Sequence, residues 1–179
     1  MTRAADAFER SIRDAEELLS RFDAEKTGPN GQNGEILKRA GLVMAIAAWE
    51  TYVKDRVRSE FDVWLQAVEG SPIGKFVRKR LDEDLKRFFN PNSERTRRLF
   101  LDYFEVDITK DWVWLNYDSP TAKKTLDVLI AKRGDAAHQA NTAIHPSAEP
   151  HKVKRDELEK GIRFLKGLVL AMEKAKVTK

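Results

Sequence analysis

The run RGDAAH contains the two residues of this chain with the clearest potential for chemistry, Arg133 and His138. Arginine carries a permanent charge on a planar fork that can hold two phosphate oxygens. Histidine titrates near neutral pH and can give or take a proton. Together they suit cleavage of an RNA phosphodiester, in which the 2′-hydroxyl of the substrate is the nucleophile and the enzyme supplies acid–base catalysis and charge stabilisation. That reaction needs neither a cysteine or serine nucleophile nor a metal.

The spacing of the pair raises a geometric question. On an ideal helix, five residues correspond to about 500°, so the two positions differ by about 140°. Gly134 weakens the helix interior and would permit a local distortion; contact between two copies of the chain would also bring both groups to one phosphate. The spacing alone carries little weight, since about one chance match is expected with three histidines. Arg133 could equally pair with Asp135, and His138 could interact with the helix dipole.

The remaining histidines, His145 and His151, lie in a proline-containing stretch close to His138. The three could form a metal site, but their spacing fits no zinc pattern and there is no HExxH motif. Surface loop histidines are the favoured interpretation. The chain also contains no Walker loop and no glycine-rich dinucleotide turn, so no cofactor is predicted.

Composition indicates a globular domain of ordinary size. The chain has 179 residues, 35% charged and 41% apolar, which suits a single domain spanning residues 1–179. No apolar run approaches membrane-span length and the first residues lack a signal-peptide core, so a cytoplasmic location is expected. The absence of cysteine excludes disulfides and thiol nucleophiles. A net charge of +4 and a pI of about 9.2 permit a nucleic-acid partner.

Helical periodicity runs through nearly the whole chain. Apolar residues three and four apart predict helices over residues 8–22, 35–68, 73–88, 93–104, 119–133 and 158–172. Ser93 and Ser119 are the predicted caps of two of them, and Trp49 and Val53 belong to a core-facing stripe. Residues 27–31 and 141–150 are predicted breaks, and 106–118 an ordered loop with one helical turn. The predicted fold is an all-α bundle of about five or six helices.

Three segments, in this order along the chain, resemble segments of one family of helical bundles, and they imply a HEPN-like bundle. LDVLIAKRGDAAHQ, residues 126–139, resembles the signature of the HEPN superfamily, in which an apolar helix leads into arginine, four to six residues and histidine. The IAAWETYV segment, residues 46–53, is similar to the RiboL-PSP-HEPN and MAE_28990/MAE_18760-like HEPN nucleases. Residues 90–109, NPNSERTRRLFLDYFEVDIT, resemble the stretch that precedes the signature helix in those proteins.

The resemblance implies a metal-independent endoribonuclease in which His138 is the catalytic histidine and Arg133 binds the scissile phosphate. The implied products end in a 2′,3′-cyclic phosphate and a 5′-hydroxyl. A homodimer is implied, and a role as a toxin or antiviral defence effector, with an antitoxin or defence partner protein. The alternatives are a non-catalytic HEPN-like module that binds RNA or protein, and a helical structural protein whose motif is incidental.

One position departs from the signature. Gly134 occupies the place after the arginine, where the family usually has a polar residue, so Asp135 is the candidate for that polar role. Glu50 flanks the apolar stripe and could pair with Arg133 or a neighbouring arginine, or be a solvated edge residue.

RNA-binding candidates are basic residues near the signature and before it. Lys132, Arg97 and Arg98 are predicted to contact phosphates. The competing interpretation is that they form solvated faces of their helices.

Overall fold

The computed structural model describes residues 1–25, 34–138 and 153–177, and of residues 25, 34 and 136–138 the backbone alone. Six α-helices occur in these parts: α1 Arg3–Glu25, α2 Gly34–Leu65, α3 Pro72–Lys86, α4 Ser93–Phe104, α5 Ser119–His138 and α6 Arg155–Lys174. The predicted breaks at 27–31 and 141–150 lie outside the described residues. The all-α prediction is confirmed, and each predicted helix is present within five residues of its expected bounds.

Two predicted caps are wrong by one position. The side chain of Asn92, and not that of Ser93, accepts the hydrogen bond from the backbone N–H of Arg95 at the start of α4. At the start of α5, Asp118 Oδ1 accepts from the backbone N–H of Thr121 at 2.9 Å. In both places an amide or carboxylate precedes the serine and reaches the free N–H groups first.

The core forms where α1, α2, α5 and α6 pack together. Phe8, Trp49 and Tyr52 are almost completely buried, and the ring of Tyr52 contacts the rings of both Phe8 and Trp49. Trp112, from the ordered loop before α5, packs edge-on against Trp49 at 6.2 Å between ring centroids. Val53 is also fully buried, so the core-facing stripe on α2 is confirmed.

The loop between α3 and α4 is fastened to α2 and α5. Trp49 Nε1 donates to the Pro91 carbonyl at 2.9 Å. Immediately after, the backbone N–H and hydroxyl of Ser93 both donate to the carboxylate of Asp127 on α5, at 2.7 and 2.8 Å. The loop therefore lies against the helix that carries the arginine–histidine signature. None of the described helices is long and apolar enough to cross a membrane.

Candidate active site

The signature lies on an uninterrupted helix. The backbone of α5 remains helical through Gly134 as far as His138, and φ at Gly134 is not positive. The local distortion that the glycine would permit is therefore absent between the two signature positions. Positions 133 and 138 remain about 140° apart around the helix.

Arg133 is half-buried and is held by a single hydrogen bond among the described residues. Its Nη1 donates to Asn90 Oδ1 at 2.7 Å, across the interface between α5 and the loop that precedes α4. The Nε atom is buried and has no acceptor among the residues that the structure describes. No carboxylate of the described residues lies within ion-pair distance of the guanidinium. Arg133 thus has a fixed position and a charge that no described acid neutralises.

Asn90 adopts an unusual backbone conformation. Its φ is +51°, in the left-handed region, where asparagine is better tolerated than most residues but still costs on the order of 1 kcal/mol. Its backbone N–H donates to Glu50 Oε2 at 3.4 Å, a long hydrogen bond. Residues kept in such conformations depend on surrounding contacts that determine them, and here the contacts come from α2 and α5.

Glu50 contacts Asn90 and Lys54 and forms no hydrogen bond or ion pair with Arg133. Its other oxygen pairs with Lys54 Nζ at 2.7 Å, one helical turn along α2. Of the alternatives considered for Glu50, the pairing with Arg133 is therefore not formed. The carboxylate supports the arginine indirectly, because it holds the backbone of the residue that binds the guanidinium.

Neither of the two residues that follow Arg133 has a side chain that forms a hydrogen bond or ion pair with a described residue. A Cβ added at Gly134 would have no heavy atom within 4 Å apart from its own helix backbone. Asp135 is exposed and makes no hydrogen bond or ion pair with a described residue. Asp135 therefore makes no polar contact with Arg133, where Asn90 provides the contact instead; the side chain of His138, the other residue that Asp135 is predicted to orient, lies outside the described residues.

The predicted RNA-binding residues differ in how far their charges are already paired. Lys132 Nζ pairs with Glu157 at 2.9 Å, and this contact lowers the pKa of that carboxyl. Arg97 makes two hydrogen bonds to Glu94, at 2.8 and 2.9 Å, and lowers the pKa of Glu94 in the same way. Arg98 is exposed and pairs with no described acid. Of the three, Arg98 offers its charge most freely to solvent.

Two residues of this region were not singled out from the sequence. In the sequence, Asn90 and Asp127 stand only as members of the segments 90–109 and 126–139. Their partners lie 43 and 34 residues away in the chain, so no local pattern points to them. The left-handed conformation of an asparagine before a proline is a signal that only the folded structure reveals.

Among the described side chains, no group of three or more histidines, cysteines or acids is arranged to hold a metal ion. His145 and His151 lie outside the described residues, as does the side chain of His138.

Comparison with known proteins agrees with the all-α fold. The helical bundle, with its arginine and histidine near the end of one helix, is of the HEPN type. The model of the RiboL-PSP-HEPN family matches residues 9–175, and the chain belongs to this family. No curated protein and no solved structure matches the chain. Membership connects the chain with nuclease or RNA-related function.

Proposed function

We propose that this protein is a metal-independent endoribonuclease whose catalytic residues are Arg133 and His138. The observation that carries the proposal is the state of Arg133: it is fixed by Asn90, half-buried, and unneutralised by any described carboxylate. A charge held in that state is suited to an anionic ligand, because a guanidinium binds phosphate oxygens through charge-assisted hydrogen bonds. Arg133 lies in the segment that resembles the HEPN signature, so an RNA phosphate is the proposed ligand.

The proposed reaction is an internal transesterification. The 2′-oxygen forms a bond to the adjacent phosphorus while the bond from phosphorus to the 5′-oxygen of the next nucleotide breaks. The 2′-hydroxyl loses its proton and the leaving 5′-oxygen gains one, and His138 is the group that carries protons in these transfers. Arg133 stabilises the negative charge on the non-bridging phosphate oxygens. The products are a 2′,3′-cyclic phosphate and a 5′-hydroxyl.

A homodimer is part of the proposal. Since α5 is continuous through Gly134, one helix offers its two signature positions about 140° apart. A twofold axis near the end of α5 would bring two identical patches together, so that Arg133 of one copy and His138 of the other reach the same phosphate.

Mixing inactive variants tests the shared site. Arg133→Ala and His138→Ala proteins are each expected to be inactive. Their mixture, after exchange of subunits, is expected to regain activity, because a mixed dimer contains one intact pair. If the mixture stays inactive although mass spectrometry detects mixed dimers, the pair acts within one chain.

The cleavage assay that tests the function compares the wild type with His138→Ala on single-stranded RNA in excess EDTA. We expect the wild type to cut and the variant to lose activity while circular dichroism and melting temperature stay unchanged. A His138→Ala protein that cuts as fast as the wild type would show that the assigned chemistry is wrong.

The proposed biological role is that of a toxin or antiviral defence effector in the cytoplasm, with an antitoxin or defence protein as its partner. It is supported by the family alone. Induced expression is expected to arrest growth with the wild type but not with His138→Ala. Equal growth in the two cultures, at equal protein levels, would contradict a toxin that acts through RNA cleavage.

A second candidate is a non-catalytic module that binds RNA. The observation that favours it is Gly134, which leaves the position after the arginine without a polar side chain. Salt-sensitive RNA binding without cleavage, under conditions in which the protein is folded, would select this function.

A further inference from the structure

We propose that Asn90 is a positioning residue, which holds the Arg133 guanidinium through a neutral amide so that the arginine keeps its full charge for a substrate phosphate. This inference rests on the proposed function. The contact that carries it is the 2.7 Å hydrogen bond from Arg133 Nη1 to Asn90 Oδ1.

The neutral partner distinguishes Arg133 from an arginine with a purely structural role in the same protein. Arg56 is buried and pairs with two carboxylates, Glu60 at 2.8 Å and Glu173 at 3.0 Å. Those acids cancel its charge, as a buried cation requires. Arg133 has an amide dipole in that place, which orients the planar fork without cancelling the charge.

Several hydrogen bonds fix the backbone around Asn90 and so position its side chain for the contact with Arg133. Its left-handed backbone is held from one side by the Glu50 carboxylate on its N–H. From the other side, its own carbonyl accepts from the backbone N–H of Asn92 at 2.8 Å. The next residue, Pro91, is fixed to α2 by the hydrogen bond from the Trp49 indole. These contacts together aim the amide of Asn90 at α5.

The same network keeps its own carboxylate away from the arginine. Glu50 is the acid that the hydrogen bonds of Asn90 connect to Arg133. It pairs with Lys54 at 2.7 Å. Its negative charge is therefore balanced on α2, while its second oxygen accepts from the backbone N–H of Asn90. The arrangement delivers structural support to the arginine without delivering an opposing charge.

The variant Asn90→Asp separates the two roles that the contact could have. Aspartate has nearly the same shape, tolerates the left-handed region and would form a stronger, charge-assisted hydrogen bond to Arg133. If the contact serves only the fold, the variant should be at least as stable as the wild type and equally functional. Our proposal predicts unchanged or higher stability together with a loss of phosphate binding, since the new carboxylate neutralises Arg133.

A matched control is available two residues further along the same loop. Asn92→Asp makes the same change from amide to carboxylate at the cap of α4, where aspartate caps as well as asparagine. This variant is expected to bind and cut RNA like the wild type. Asn90→Ala, which removes the hydrogen bond without adding a charge, is the second test variant and should show an intermediate loss.

The binding probe is a single-stranded RNA in which every 2′-hydroxyl is methylated, so that the proposed cleavage cannot occur. For Asn90→Asp we expect affinity at low salt to fall by about tenfold or more. The dependence of log K on log salt should become shallower by about 0.7, the value for one lost phosphate contact on a single strand. A structural role alone would leave that slope unchanged. Cleavage of unmodified RNA is measured in parallel.

Each outcome of these measurements decides the proposal. Asn90→Asp with normal stability, weaker binding and a reduced salt slope supports it, and that result stands even if the wild type cuts no RNA, in which case the proposed function fails separately. Asn90→Asp that binds and cuts like Asn92→Asp overturns it. A folded wild type that does not bind the methylated RNA overturns it too, since an arginine kept charged for phosphate must bind one.

Discussion

The glycine after the signature arginine provides a quantitative test of the helix that carries the site. Gly134 lies within α5, has a helical backbone, and has open space where a Cβ would be placed. Gly134→Ala should therefore stabilise the fold by about 0.5–1 kcal/mol, the usual helical advantage of alanine over glycine. In a domain of this size that corresponds to a rise in melting temperature of about 1–4 °C.

The control is a second helical glycine with the opposite surroundings. A Cβ at Gly167 on α6 would lie 2.3 Å from the indole Nε1 of Trp114. Gly167→Ala should therefore destabilise the protein, by about 1–3 kcal/mol, because the ring must move. Both variants are measured by urea denaturation and thermal melting under identical conditions.

Activity adds a second readout for Gly134→Ala. If the arginine and histidine meet across two copies of a regular helix, the alanine variant should cut RNA within about twofold of the wild-type rate, since it only reinforces that helix. A stabilised variant that has lost cleavage would show that a distortion at Gly134 is needed, and would refute the argument from a continuous helix. A variant less stable than the wild type would contradict the described conformation of α5.

Other predictions concern charge. Glu173 accepts hydrogen bonds from Thr2, Tyr52 and Arg56; Glu173→Gln should cost about 3 kcal/mol in urea denaturation, because it leaves the buried Arg56 less compensated, and a loss below 1 kcal/mol would contradict this. Burial alone would raise the pKa of Glu173, but the hydrogen bonds from Thr2 and the charge of Arg56 outweigh it and lower this pKa. The stabilisation is therefore full above the unfolded pKa of about 4.3 and is lost as pH falls through the folded pKa. The unfolding free energies of the wild type and Glu173→Gln, measured across the acid range, should differ fully above the unfolded pKa and converge below the folded pKa. Arg98→Ala should weaken binding to RNA more than Lys132→Ala, because Lys132 already pairs with Glu157. Equal losses of affinity would show that this ion pair does not reduce the contribution of Lys132 to RNA binding.

The helical architecture could be predicted from the sequence because the buried face of a helix requires apolar residues every three or four positions. Trp49 and Val53 fall on one stripe of α2 and are both fully buried. The loop between α4 and α5 was predicted as ordered with one helical turn, and it contains a 3₁₀ turn at Ile108–Asp111 with Trp112 in the core. Large apolar side chains at helical spacing are usually buried in the interior.

The predicted helix starts were less accurate because several residue types compete for the same N–H groups. Ser93 and Ser119 are good caps in isolation, but Asn92 and Asp118 precede them and take that role. The displaced serine hydroxyls bind Asp127 and the Thr109 carbonyl instead. These are tertiary contacts, which a local pattern does not contain.

The candidate site was predictable only in part, for the same reason. Arg133 and His138 stand out by type and by the family signature, and Glu50 was recognised as a residue near the stripe. The partner of Glu50, Lys54, is four residues away and could have been expected from helical spacing. The contact between Arg133 and Asn90 joins residues 43 apart in the chain, so it depends on how the loop before α4 packs on α5.

The central claim is that the 2′-hydroxyl of the substrate attacks its own phosphodiester with the help of Arg133 and His138. The most direct measurement uses an RNA cut at a mapped position and a matched copy with one 2′-deoxy nucleotide at that position, both in excess EDTA. The account predicts that the unmodified RNA yields a 2′,3′-cyclic phosphate and a 5′-hydroxyl, detected by mass spectrometry, and that the single deoxy substitution abolishes cleavage at that site. Cleavage of the deoxy copy at the same position and rate, or fragments that end in a 3′-hydroxyl and a 5′-phosphate, would contradict it.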